Sequence, residues 1–236
     1  MVERVSFFSR KNIMGVNERL TDRERVELTK KSYEHLQLGD NITIGPYDIG
    51  TVCRVEHAKD GMSAFVISSP SEITILFKGS YGIKKGTPQT WRDEWFKTNI
   101  PILRAMLSQE RRIPSQLKTA STFLNHVINQ FRGSRFYIYG HSLGSINAQF
   151  ALANCTHPEA IAAAYLYEGT NIWLLLTPKE RRRVAQMRER VFNYVDIYDP
   201  VTLGITETHH MVGKLCYVDS EPMQPIKQHM WGGYQF

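Results

Sequence analysis

The sequence predicts an α/β fold: a mostly parallel central sheet flanked by helices, with antiparallel strands at its N-terminal side. Three observations carry this. Between residues 51 and 77, three β-branched and aromatic runs are separated by short turn signals, the pattern of hairpins. From residue 115 onward, segments with helical spacing alternate with apolar strand-like runs, the pattern of crossovers between parallel strands. Between them, Gly140-His141-Ser142-Leu143-Gly144 joins the apolar run Phe136–Tyr139 to an Ala-rich helical stretch, so strand, tight turn and helix follow one another.

The elements follow in order. Thr21-Asp22-Arg23-Glu24 is a capping box, with Thr21 as N-cap and Glu24 at the third helical position, and it opens a helix running to about Leu36. Gly39 to Gly50 carries turn residues. Strands are expected over Thr51–Glu56, Ala64–Ser68 and Ile73–Phe77, punctuated by Asp60-Gly61 and Ser69-Pro70-Ser71. From Ser115 to Phe131, Leu117, Ala120, Leu124, Val127, Ile128 and Phe131 keep helical spacing until Arg132-Gly133-Ser134 stops the helix. A helix over Ser145–Asn154 follows the glycine-flanked turn. Ala162–Tyr167, Val191–Val195 and Leu215–Val218 are further strands, and Thr177-Pro178-Lys179-Glu180 caps a basic helix between the first two.

At 236 residues, with no Pro-, Gly- or Ser-rich divider, repeat or low-complexity segment, residues 1–236 read as a single domain with a sizeable core. A composition of 42% hydrophobic and 22% charged residues is that of an ordinary globular protein. Cys53, Cys155 and Cys216 are far apart and lack C-x-x-C spacing, which argues against a disulfide framework or zinc site and predicts buried thiols. The N-terminus has no apolar core of signal-peptide length and no stretch approaches a membrane span, so the expectation is a cytoplasmic chain or one exported by a leaderless route. The net charge of +6 is concentrated in Lys179–Arg190, where six basic residues oppose two acidic ones. Such a helix suits a solvated face or an anionic membrane surface. No recognised nucleic-acid motif accompanies it, so no nucleic-acid partner is expected.

The turn at Ser142 defines the chemistry to look for. A serine on a sharp strand-to-helix turn needs tiny neighbours two residues away on either side, and Gly140 and Gly144 meet that need. A hydroxyl is a weak nucleophile at neutral pH, so it requires a histidine to take its proton and an acid to orient that histidine. In α/β-hydrolases the chain order is serine, acid, histidine, which restricts the search to residues after 142. The acid lies in the loop after Val191–Val195: Asp199, next to Pro200, is the first choice and Asp196 its rival. For the base, His157 precedes the acid and falls out. His229, in a segment whose glycines and aromatics suit a loop folding over a site, is chosen ahead of His210, with His209 in the same polar stretch. The Leu143 N–H at the helix start is one oxyanion donor, and Ser80, after the strand ending Phe77-Lys78-Gly79, is the candidate second.

Four ordered segments, ITILFKGS (73–80), WRDEW (91–95), YGHSLGS (139–145) and NYVDIYDPV (193–201), resemble the class 3 (fungal-type) lipase family, in particular small bacterial lipase-like α/β-hydrolases. The resemblance spans most of the chain. It implies the α/β-hydrolase fold, Ser142 as nucleophile, Ser80 and Leu143 as the oxyanion hole, and a lid over Tyr81 to Asn99 that includes Trp91 and Trp95. Two departures stand out: the acid motif aligns on either Asp196 or Asp199, and Ser145 stands where the family often has glycine. The expected function is a serine hydrolase of lipid or other acyl esters, without metal or organic cofactor. The alternatives are a catalytically silent binding protein of the same fold, or an acyltransferase or thioesterase using the same residues. Ile172–Leu176 is read as either acyl-pocket lining or core.

Overall fold

The computed structural model describes residues 15–80, 113–202 and 209–234. Among the described residues, eight strands form one sheet in chain order. β1 (Asn41–Ile44), β2 (Tyr47–His57), β3 (Ser63–Ser68) and β4 (Glu72–Phe77) are antiparallel neighbours. β5 (Arg135–His141), β6 (Ile161–Tyr167), β7 (Val191–Val195) and β8 (Lys214–Tyr217) continue from β4 in parallel. This is the mixed sheet with antiparallel N-terminal strands that the sequence predicts.

Alternation along the strands sends side chains into two cores. On one face, Ile73, Ile75, Phe136 and Ile138 pack with Leu117, Ala120, Leu124 and Val127 of α3 (Ser115–Gln130) and with α4 (Leu143–Ala153). On the other, Phe65, Ile67, Tyr137, Tyr139, Tyr165 and Tyr167 meet Leu20 and the Val26 and Leu28 side chains of α2 (Asp22–Lys30). Covered on both faces, the middle strands read as near-continuous apolar runs. A shorter helix, α1 (Val16–Arg19), is tied to the sheet by buried Asn17, which donates to Glu72 and Thr74 and accepts from the Tyr139 hydroxyl at 2.9 Å.

Three expectations are corrected. The segment read as turn residues contains β1, a four-residue strand interrupted by a bulge and followed by Gly45-Pro46, too short to register as periodicity. The first helix ends at Lys30 instead of Leu36: a 3₁₀ turn, Lys31–Tyr33, follows it and drives Tyr33 into the interior, so a tertiary contact overrides helical continuation. Of the cysteines only Cys155 is buried. Cys53 is exposed because strand alternation buries Val52 and turns its neighbour outward, and Cys216 is half-buried on the edge strand β8.

The basic helix forms as α5 (Pro178–Gln186) with its Thr177/Glu180 capping box. Arg181, Arg183 and Arg190 donate to the main-chain carbonyls of Trp173, Ala153 and Ile161, so half of the six basic residues are engaged by the protein's own backbone. In the Ile172–Leu176 run, Ile172, Leu175 and Leu176 are core, while Leu174 is 63% exposed. Among the described residues no helix is long and apolar enough to cross a membrane.

Because β4 to β7 run parallel, their C-terminal ends deliver Lys78–Ser80, Ser142, Glu168 and the loop Asp196–Asp199 to one edge of the sheet.

Candidate active site

Ser142 links β5 to α4 with φ 56° and ψ −126°, a left-handed conformation costing a non-glycine residue about 1–3 kcal/mol. Its surroundings hold it there. The Ser142 N–H donates to the Tyr167 carbonyl at 2.9 Å, and its carbonyl accepts from the Ile146 N–H at 3.1 Å. A Cβ at Gly140 would lie 2.6 Å from the Gly144 carbonyl oxygen, and one at Gly144 would lie 2.2 Å from that of Phe77. Both obstacles are backbone, so only glycine fits. Ser145 is accommodated by Gly169, where a Cβ would sit 2.3 Å from the Ser145 hydroxyl.

The structure brings Ser142, His229 and Asp199 together. His229 Nε2 lies 2.8 Å from Ser142 Oγ, and His229 Nδ1 lies 2.6 Å from Asp199 Oδ2. A carboxylate only accepts, so Nδ1 carries a proton and Nε2 is left to take the serine proton. Asp199 Oδ1 accepts from the Val201 N–H at 2.9 Å, and the Thr202 hydroxyl donates to the Asp199 carbonyl at 2.9 Å, fixing the carboxylate's direction. His229 and Asp199 are 0% and 1% exposed; a buried acid of this kind needs its partners to offset desolvation.

Asp196 is equally buried but faces elsewhere. Its Oδ1 accepts from the Tyr198 N–H, and its Oδ2 accepts from the amide of Gln228, the residue preceding His229. It anchors the segment that carries the histidine. His210 is exposed and stacked on Trp173, 5.7 Å between centroids, and His209 is also exposed. Ser80 and Leu143 line one cavity of about 370 Å³ together with Lys78 and Gly79. Leu143 opens α4, so its N–H is among those without an intrahelical partner. Residues Tyr81 to Asn99, with Trp91 and Trp95, lie outside the described residues.

Four neighbours of the site escape the sequence reading. Glu168, at the end of β6 with φ 49°, accepts from the Asp196 N–H at 3.0 Å and from the Tyr234 hydroxyl at 2.6 Å. Burial first, then the charge of Asp199, hold its carboxyl well above the usual range. Gln228 also donates to Ser220 and accepts from the Met223 N–H. His141 and Trp231 are stacked at 4.2 Å. None has a local pattern to announce it; only Gln228 and His141, adjacent to site residues, could have been suspected. Among the described residues no group of three or more His, Cys, Asp or Glu side chains could hold a metal ion.

No known family model matches the chain, and no curated protein sequence does. Solved structures do match. The Rhizomucor miehei lipase, in complex with its propeptide, is 15% identical with a TM-score of 0.50, over 83% of this chain and 67% of that one. A triacylglycerol lipase from Penicillium expansum is 14% identical with a TM-score of 0.50, over 83% of this chain and 76% of that one. At these identities the likeness is one of fold: the chain has the α/β-hydrolase fold of fungal lipases.

Proposed function

We propose that the protein is a serine ester hydrolase acting on lipid or other acyl esters through an acyl-enzyme on Ser142. The observation that carries this reading is the unbroken chain from Ser142 Oγ to His229 at 2.8 Å and on to Asp199 at 2.6 Å, set on a strained turn at the sheet's C-terminal edge. His229 Nε2 accepts the hydroxyl proton as Ser142 Oγ attacks the ester carbonyl. The tetrahedral oxyanion is held by the Leu143 N–H and by Ser80. The C–O bond to the leaving alcohol then breaks, and that alcohol departs with the proton from His229. Water, deprotonated by the same nitrogen, releases the acid and restores the serine. Asp199 stays ionised and holds the imidazole in the Nδ1–H form throughout.

The shared fold with lipases supports a lipid ester as the substrate class, and the residues need no metal or organic cofactor for this chemistry. Turnover of graded p-nitrophenyl esters and of phosphatidylglycerol vesicles tests the reading. The wild type is expected to hydrolyse members of this set, and Ser142→Ala and His229→Ala to lose turnover while keeping the fold. Turnover retained in Ser142→Ala sinks the proposal, and a folded wild type inert on every ester favours the silent binding protein.

A further inference from the structure

The residue before the nucleophile is a second histidine, fully buried, which the chemistry above does not use. His141 Nε2 lies 2.9 Å from the main-chain carbonyl oxygen of His229, and His141 Nδ1 lies 2.6 Å from the Tyr33 hydroxyl. A carbonyl oxygen only accepts, so Nε2 bears the proton. In a neutral ring Nδ1 is then an acceptor, and the Tyr33 O–H donates to it. Both ring nitrogens have defined roles, and a single tautomer satisfies them.

The segment this bond holds has little regular structure of its own. After His229 the chain breaks from helical geometry at Met230 (φ −92°, ψ 50°) and Trp231 (φ 71°, ψ 10°). A positive φ at tryptophan costs about 1–3 kcal/mol and persists only where surroundings impose it. The Trp231 ring stacks on His141 at 4.2 Å and meets Tyr167 edge-on at 5.2 Å. The oxyanion side rests on the same pair: a Cβ at Gly79 would lie 2.1 Å from the Tyr33 hydroxyl and 2.8 Å from the His141 carbonyl oxygen. The base segment and the oxyanion loop thus both pack on this pair, and the His141 ring lies tilted against that of His229 with 4.9 Å between centroids.

We propose that His141 and Tyr33 are a positioning pair for the general base: neutral His141, protonated on Nε2, pins the His229 backbone, and the Tyr33 hydroxyl locks His141 in that tautomer. The role rests on the hydrolase reading above. Burial, the neighbouring His229 and Lys30 all disfavour a charged His141, so the pair stays neutral when His229 takes its proton. Lys30 Nζ, 5.9 Å from the Trp231 ring centroid, is the cation that α2 brings to this side.

The direct test is long-range ¹H–¹⁵N spectroscopy of imidazole-labelled wild type, with the His141 signals identified by their loss in His141→Gln. Nε2 protonated and Nδ1 bare from pH 6 to 8 is expected; a proton on Nδ1 overturns the proposal. In kinetics, Tyr33→Phe is expected to lower kcat about tenfold, with KM moving less than about twofold. His141→Gln, which keeps an N–H donor, should retain more kcat than His141→Phe, which keeps the ring but not the donor. Equal rates in those two, or unchanged kcat in Tyr33→Phe, would mean the pair only fills space. If the wild type neither turns over esters nor reacts with a fluorophosphonate, the hydrolase reading fails, and the tautomer measurement still decides the pair.

Discussion

The turn that carries Ser142 and the segment that carries His229 each hold a non-glycine residue at positive φ, in different ways. Ser142 (φ 56°) is kept by its own neighbourhood: a strand before it, a helix after it, and two glycines whose missing side chains let β4 and α4 close in. Trp231 (φ 71°), two residues after His229, is kept from a distance. Asp196 and Ser220 hold Gln228, His141 holds the His229 carbonyl, and Tyr167 and Tyr234 pack on the indole. A reactive geometry built locally is robust, and one built from remote contacts can be released one contact at a time.

The sharpest way to break the comparison is at the chemistry itself. Ser142→Ala should cost at least about 10⁴-fold in kcat/KM without loss of thermal stability, since the backbone conformation and not the hydroxyl holds the turn. The two acids separate next. Asp199→Asn should lower kcat about 10⁴-fold with the fold intact, because an amide no longer enforces the Nδ1–H tautomer. Asp196→Asn should cost closer to tenfold, and about 1–3 kcal/mol of stability in chemical denaturation, because it loosens the grip on Gln228. On the local side, Gly144→Ala forces a Cβ to 2.2 Å from a backbone oxygen, and unfolding titrations should show a loss of about 2–4 kcal/mol.

These contrasts match what the sequence made legible. The turn at Ser142 is local, so five residues and their flanks announce it. β5, β6 and β7 were readable because apolar runs alternate with helical spacing. Asp199, the first choice, kept Asp196 as a rival because both follow β7 in a polar loop; the return of residues 228–232 across the sheet edge separates them, giving Asp199 to His229 and Asp196 to Gln228. β1, the early end of α2 and the outward Cys53 depend on pairing and burial that short windows do not encode. Glu168, Tyr33 and Trp231 belong to the same class, being meaningful only through what they touch.

Smaller effects follow from the two buried groups whose ionisation burial disfavours. Burial puts His141 well below 6.5 in the folded state, so below about pH 6.5 the unfolded chain binds a proton that the folded one refuses. Stability should therefore decline as pH falls through that window. The stability gap between wild type and His141→Gln, followed by thermal melts, should narrow over it. Glu168 has the opposite sign: its raised value means that the unfolded chain releases a proton above about pH 4.5 while the folded one retains it. Glu168→Gln, which keeps an acceptor for the Asp196 N–H, should be more stable than wild type at pH 7 by about 1 kcal/mol. The gain should vanish near pH 4.5.

The reactivity of Ser142 is tested most directly by the rate at which a fluorophosphonate labels each folded variant, with the adduct mapped by peptide mass spectrometry. A single adduct on Ser142 is expected, absent in Ser142→Ala, slowed about 10³-fold or more in Asp199→Asn, and slowed no more than about tenfold in Asp196→Asn. No adduct on folded wild type, or Asp196→Asn slowed as much as Asp199→Asn, would contradict it.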